Sequence, residues 1–185
     1  MPSQLTLTIP CETYLAQWFI HDSGGQDPVK LRKNSPEMHL LRVLLASKSS
    51  RIADQKRQPA SAMSAEQERQ PGLPAGPAGL RIIIPHFRGM PPDTYNYISP
   101  RAERIFTDLL RRRFDLRIFT DLVPVCEHVH RRDELILEWM ELNGIEPEER
   151  HWFAVDKRLS RILDRMKATE RVRRYRARKR SQKKQ

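Results

Sequence analysis

The last nineteen residues of the chain, Lys167 to Gln185, contain ten of its 34 lysines and arginines and only one acid, Glu170. Burying an unpaired cation costs on the order of several kcal/mol, so this segment cannot enter a hydrophobic core. The preceding residues, 1–166, hold 24 basic and 22 acidic side chains and are nearly neutral. The sequence therefore predicts a body of balanced charge followed by a cationic arm, residues 167–185, which carries +9 of the formal net charge of +11.

A cationic arm of this kind either stays in water or binds a polyanion. Nucleic acid is the polyanion that such tails most often meet, because each neutralised phosphate releases condensed counterions. An anionic membrane, an acidic protein surface, a localisation signal and a solubilising tail are the alternatives that charge alone leaves open. The predicted nucleic-acid contacts in the arm are Arg171, Arg173, Arg174, Arg176, Arg178, Lys179 and Arg180.

The composition allows a modest core, because 38% of the 185 residues are hydrophobic. The apolar runs are shorter than the roughly 20 residues that span a bilayer, so no transmembrane helix is expected. The N-terminus has no basic region leading into an apolar one, which is unlike a secretory signal. Cys11 and Cys126 are too few for a disulfide scaffold and suit a reducing compartment, so a cytoplasmic protein is expected.

Apolar periods in the first 46 residues predict a small unit with the order strand, helix, strand, helix. Residues 5–9 alternate leucine or isoleucine with threonine, which indicates a strand. Residues 12–22 have helical spacing, and residues 29–31 predict a second strand. Ser35 is predicted to cap a helix beginning at Pro36. The apolar residues that this helix offers to a core are Leu40, Leu41, Val43, Leu44 and Leu45.

The composition changes to Ser, Ala, Gln, Pro and Gly between residues 47 and 79. Too little apolar surface is present there to offset backbone ordering, which predicts a linker. The β-branched run at residues 80–84 then predicts a buried strand that can rejoin the first sheet. The predicted organisation is an α+β unit at 1–46, a linker at 47–79, a strand with a helical region at 80–166, and the arm at 167–185.

Two tyrosines and an arginine lie in the loop that follows this strand. Tyr95, Tyr97 and Arg88 are close in sequence, and aromatic rings beside cations can stack on unpaired bases. The alternative, which we favour, is that both rings pack the loop against the body.

A short repeat lies in the next predicted helix, which begins at Ser99 and Pro100 by the same pattern of cap and proline. The repeat reads RIFTDLL at residues 104–110 and RIFTDLV at residues 117–123. In one continuous helix this spacing would turn the second copy by about 220°, at roughly 100° per residue, so the apolar faces would oppose each other. A break near residues 113–115 is therefore predicted, with two short helices packing on one core.

Two further helices joined by a tight turn are predicted before the arm. The first runs from Asp133 to Leu142 and ends at Gly144, since glycine readily adopts the left-handed terminating conformation. The second starts near Pro147. Its predicted apolar face consists of Phe153, Val155, Leu159, Ile162, Leu163 and Met166.

The opposite face of the second helix is basic, with the candidate nucleic-acid contacts Lys157, Arg158, Arg161 and Arg165. A helix, a tight turn and a basic second helix suit a helix-turn-helix motif, in which the second helix enters the major groove. An ordinary αα-hairpin is the alternative, because Met140 occupies a position that usually holds a small residue and Asp156 and Asp164 dilute the basic face. The direct continuation into the arm favours DNA binding.

Catalytic and metal-binding patterns are weak. Cys126, His128 and His130 alternate, but a structural zinc site needs four ligands and the sequence has no second paired cluster. We therefore predict no metal and no cofactor, with the histidines solvated or capping the next helix. The chain has no glycine-rich phosphate loop and no nucleophile motif, so a metal-dependent nuclease is the least favoured function.

Three segments carry a resemblance to a known group of proteins: IPHFRGMPPDTYNYISPRAE, RRDELILEWMELNGI and HWFAVDKRLSRI. They are similar to stretches of small basic proteins carried by prophages and conjugative elements of gut Bacteroidota, over roughly residues 80–165. The resemblance implies a bacterial cytoplasm and a role in a mobile element. It implies no reaction and no site residue.

The sequence as a whole predicts a non-enzymatic protein that binds nucleic acid, DNA rather than RNA, in an accessory or regulatory role. The alternative is a structural or adaptor protein of a mobile element that binds another protein, with an arm that only adds charge. Salt separates the two, because the affinity for nucleic acid falls steeply with salt and the affinity of an apolar protein interface does not.

Overall fold

A computed structural model describes residues 5–47, 79–126 and 131–182. The predicted linker at 47–79 therefore lies almost wholly outside the described residues. The chain divides into two compact units, residues 1–111 and residues 112–185. The fold is α+β as predicted, with a two-stranded antiparallel sheet in the first unit and a helical C-terminal half.

The sheet joins two strands that are far apart in the sequence. Strands β1 (Thr6–Pro10) and β2 (Gly79–Ile83) pair antiparallel, with Thr6 opposite Ile83. Both strands were expected from their apolar patterns, and these predictions are confirmed. Because side chains alternate between the two faces of a strand, every second residue enters the core, namely Leu7, Ile9, Leu80 and Ile82.

The strand predicted at residues 29–31 is reduced to one residue, Val29, which bridges Ile82 in parallel orientation. The Val29 N–H donates to the Arg81 carbonyl oxygen at 2.8 Å, and the Val29 carbonyl oxygen accepts from the Ile83 N–H at 2.9 Å. Pro28 has no N–H with which to extend this ladder toward the N-terminus. The segment therefore adds a short edge to the sheet.

Helices α1 (Thr13–Asp22) and α2 (Pro36–Leu44) complete the N-terminal pattern. The Met38 N–H donates to the Ser35 hydroxyl oxygen at 3.1 Å, which confirms the predicted cap. Leu41 is fully buried, but Val43 is 80% exposed, so the prediction that Val43 joins the core is wrong. Residues two positions apart on a helix point about 200° away from each other, so Val43 faces away from the side that buries Leu41.

Helix α3 (Pro100–Asp121) is continuous, so the predicted break near residues 113–115 is wrong. Ser99 caps its N-terminus, because the Ser99 hydroxyl oxygen accepts from the Ala102 N–H at 3.3 Å. A stripe of buried residues at every fourth position runs along the helix and turns by about 40° at each step. Its members are Ala102, Phe106, Leu110, Phe114, Ile118 and, just after the helix, Leu122.

The turning stripe makes the two copies of the repeat bury different residues. In the first copy Phe106 is buried and Ile105 is 42% exposed, whereas in the second copy Ile118 is buried and Phe119 is 42% exposed. Each copy has two adjacent apolar residues, an isoleucine and a phenylalanine, which point about 100° apart. One or the other can therefore face the core, whichever way the copy is turned. A continuous helix therefore accommodates both copies without a break.

The second unit contains helices α4 (Val123–Cys126), α5 (Arg132–Leu142) and α6 (Glu149–Gln182). The predicted hairpin of α5 and α6 is confirmed, with Gly144 at a φ of 69° in the turn. The Ile145 N–H donates back to the Met140 carbonyl oxygen at 2.8 Å, which closes the end of α5. The arm continues α6 as a helix up to Gln182. Of the helices in the described ranges, none is both long enough and apolar enough to cross a membrane.

Two predictions about the apolar face of α6 are wrong. Phe153 is 56% exposed and contacts the edge of the Trp152 ring, with centroids 5.1 Å apart. It lies about 200° from the buried Val155, so one helix face cannot bury both. Met166 is 39% exposed, as is every residue from Asp164 to Arg176 to a similar or greater degree, so no core side chain of the described residues covers this part of α6.

Candidate nucleic-acid interface

The first turns of α6 are fixed firmly to the rest of the second unit. Val155 and Leu159 are fully buried. Arg132, the first residue of α5, pairs with the Asp156 carboxylate at 2.6 Å and donates to the Ser160 hydroxyl at 2.7 Å. These contacts give α6 a rigid base.

Arg158 differs from the other predicted contacts in the body. Its side chain is only 17% exposed and pairs with Asp115 at 2.6 Å. Its guanidinium also lies over the Phe114 ring, 5.8 Å from the centroid. A cation held in this way is already neutralised, and its contacts favour a structural role within the second unit.

The other three body cations, Lys157, Arg161 and Arg165, are exposed. They follow one another at intervals of four residues, which places them on one side of α6 with a turn of about 40° at each step. In the part of the chain that the structure describes, none of the three side chains forms an ion pair. Asp164, between two of them, is also exposed. This triplet of cations is available to an anionic partner.

The arm is exposed along its described length. Every residue from Asp164 to Arg176 is exposed, and so is Lys179. The only acid of the arm, Glu170, pairs with Arg174 one turn away. Arg178 and Arg180 lie in the same helix. The exposed cations of the arm are Lys167, Arg171, Arg173, Arg174, Arg176 and Lys179.

The cations of the arm surround the helix. Arg171, Arg173 and Arg174 alone lie at steps of about 200° and 100°, so they point in three different directions. Val172 and Tyr175, one turn apart, are exposed by 49% and 65% and form a small apolar patch. A helix that lies on a membrane has a broad apolar face opposite its charges, whereas Arg171 and Arg176 lie on the two sides of this patch. At about 1.5 Å per residue, residues 167–182 extend roughly 24 Å.

The cysteines offer no reactive site. Burial raises the pKa of Cys11 to about 11, so its thiol stays protonated at neutral pH. Burial also raises the pKa of Cys126. His128 and His130, with which Cys126 alternates, lie outside the described residues. Among the residues that are described, no group of three His, Cys, Asp or Glu side chains is placed to hold a metal ion.

A groove of about 860 Å³ in the first unit was not predicted from the sequence. It lies between the 30–34 segment, α2 and the loop after β2, and its apolar lining includes Leu31, Ile84 and Phe87. Three cations, Lys30, Lys33 and Arg42, also line it. Only the outward position of Lys30, between Val29 and Leu31, hinted at this surface, because Ile84 and Phe87, which also line the groove, are far from the cations in the sequence.

The tyrosines of the loop after β2 are both half-buried. The Tyr97 backbone pairs with Ala46, whose N–H donates to the Tyr97 carbonyl oxygen at 2.8 Å. This pairing ties the loop to the end of α2 and agrees with the favoured interpretation that the tyrosines pack against the body.

Comparisons of the chain with protein-family models, with curated proteins and with solved structures find no match.

Proposed function

We propose that the protein binds duplex DNA through the arm and the adjoining triplet of Lys157, Arg161 and Arg165, as an accessory or regulatory protein of a mobile element. The observation that carries this proposal is the helix α6, in which every residue from Asp164 to Arg176 is exposed and cations lie on all sides. A helix with side chains is about 10–12 Å wide and the major groove of B-DNA is about 12 Å wide. Phosphates line both walls of that groove, so cations around the helix can reach both strands.

The same geometry favours DNA over double-stranded RNA. The major groove of an A-form helix is deep and narrow, so side chains on a straight helix do not reach its bases. In the major groove of DNA, the arm would supply the phosphate contacts, and the triplet would position the second unit beside the duplex. The fixed base of α6, held by Arg132 and Asp156, would set the angle of approach.

The test is removal of residues 167–185 from the full chain. The salt dependence of duplex affinity should lose about five logarithmic units of slope if six or so cations meet phosphates. The melting temperature should barely change, because the described residues of the arm have no buried side chain. A truncated chain that binds duplex as tightly as the full chain, with the same salt slope, would refute the proposal.

A protein-binding role is the second candidate. Leu116 and Phe119, one turn apart on α3, are 61% and 42% exposed. Large apolar side chains that lie next to each other on a surface favour a contact with another protein. If this were the main function, partner binding would survive both removal of the arm and high salt, and Leu116→Ser would abolish it.

A further inference from the structure

We propose that the groove of the first unit binds single-stranded DNA, with an unpaired base stacked on Arg42 and Phe87 and the neighbouring phosphates on Lys30 and Lys33. The site is separate from the arm and uses other residues. It would give the protein a second nucleic-acid surface, for the unpaired strand.

The stacking platform is already assembled. The Arg42 guanidinium lies over the Phe87 ring, 5.9 Å from the centroid. A tight turn fixes the backbone at Phe87, since the Met90 N–H donates to the Phe87 carbonyl oxygen at 3.0 Å and Gly89 supplies a φ of 80°. Unpaired bases stack on aromatic rings and on guanidinium planes. The stacked pair is therefore a ready surface for one base.

The charges of the groove suit a strand of several phosphates. Lys30, Lys33 and Arg42 are exposed, and none of them forms an ion pair with an acid of the described residues. By contrast, Arg81 and Arg111 in the same unit pair with Asp27 at 2.6 Å and with Glu12 at 2.7 Å. One acid lines the groove, against three lysines and arginines. A free nucleotide would engage one phosphate group, whereas Lys30 and Lys33 can hold two phosphates of a backbone while Arg42 stacks on the base.

The lining of the groove favours an unpaired strand over a duplex. Its apolar residues, which include Leu31, Met38 and Ile84, suit base faces or other apolar groups. A duplex presents phosphates and base edges, with its base faces stacked inside. The volume of about 860 Å³ exceeds the space of a single base and suits a short unpaired segment.

The experiment compares the full chain with Phe87→Ala and Arg42→Gln, using a fluorescent ten-nucleotide oligothymidine and a duplex of equal length. Phe87→Ala should weaken single-strand binding by about 5- to 150-fold, the range of one lost base stack, and leave duplex binding unchanged. Arg42→Gln should also weaken single-strand binding. Arg88→Gln is the matched control, because Arg88 is exposed beside Phe87 but does not line the groove. It should change neither affinity by more than about twofold.

Phe87→Tyr keeps a stacking ring and should restore single-strand binding, which separates stacking from folding. Nuclear magnetic resonance of the full chain should show shifts at residues 30–34 and 86–88 with the oligothymidine, although the arm is present. Equal losses for single strand and duplex, or no loss in either variant, would overturn the inference. So would thymidine monophosphate or an acidic peptide that competes as well as the oligonucleotide does. Removal of the arm tests the proposed function independently, because these shifts should persist in the truncated chain.

Discussion

A cation in this protein is either fixed within the fold or exposed to a partner, according to what surrounds it. Arg158 and Arg161 are three residues apart on α6, yet Arg158 is held by Asp115 and Phe114 while Arg161 has no ion pair within the described chain. The sequence assigns both to the same basic face. Burial and partners separate them, and substitutions should show the difference.

Asp115→Ala should destabilise the fold by about 1–2 kcal/mol, because it leaves Arg158 partly buried without its carboxylate. The range is below that of a fully buried pair, since the Asp115 side chain is 35% exposed. Asp164→Ala is the matched control, an exposed acid on α6 that should cost less than about 0.5 kcal/mol. Urea unfolding measures both. Equal costs would mean that the pair contributes nothing.

Leu159→Ala should cost about 2–5 kcal/mol, because Leu159 is fully buried and its removal loses apolar transfer energy and leaves a cavity. Ile162→Ala should cost less, since Ile162 is only half-buried. Arg161→Ala should stay within about 0.5 kcal/mol and lower duplex affinity instead. Denaturant melts and binding titrations on the same samples separate the two effects. A large loss of stability in Arg161→Ala would remove Arg161 from the proposed interface.

At the scale of elements, the long helix α6 serves two purposes along its length. Its first half is fixed by packing, and the described residues of its second half are exposed, with only a small apolar patch at Val172 and Tyr175. Isolated helices of about 15 residues are marginal in water, and like charges three or four residues apart destabilise them further. Arg171 and Arg174 form one such pair, and Arg176 and Lys179 another. A polyanion that neutralises these cations should therefore stabilise the helix of the arm.

Ala168→Pro tests whether the helix matters or only its charge. Proline inside a helix costs about 3 kcal/mol and leaves the charge of the arm intact. We expect duplex affinity to fall by at least about tenfold, because the arm no longer enters the groove as one rod. Ala168→Ser is the control at the same exposed position. Circular dichroism should show less helix for the proline variant alone, and unchanged affinity would indicate that charge is sufficient.

The sequence predicts well the elements that local chemistry determines. Ser35 and Ser99 cap the helices that follow, Gly144 ends α5, and the alternation in β1 sets its buried face. It predicts less well what depends on distant partners. To predict a continuous α3, one would have had to know that the buried stripe turns around the helix as it follows the neighbouring core.

The groove is the clearest case of information that the sequence does not contain locally. Lys30, Arg42 and Phe87 belong to three segments, which are brought together by the pairing of Val29 with Ile82 and of Ala46 with Tyr97. Contacts between distant segments therefore limit what sequence patterns can predict here.

At the scale of the whole molecule, charge is concentrated at one end. The arm carries +9 while residues 1–166 are nearly neutral. Such a segment attracts a polyanion over about 8–10 Å at ordinary ionic strength, before any close contact forms. The triplet of Lys157, Arg161 and Arg165 can contribute only after the second unit has docked. The arm should therefore govern how fast the protein binds DNA, and the triplet how long it stays.

Two variants with the same change of charge separate these roles. Replacing Arg171, Arg173 and Arg176 by Gln should mainly lower the association rate constant, and the difference from the unmodified chain should shrink as salt screens the arm. Replacing Lys157, Arg161 and Arg165 by Gln should mainly raise the dissociation rate constant, because these contacts form late. Stopped-flow mixing with labelled duplex at low and high salt measures both constants. If the two variants changed the same rate constant by the same factor, the arm and the triplet would act as a single surface, and the division between capture and retention would be wrong.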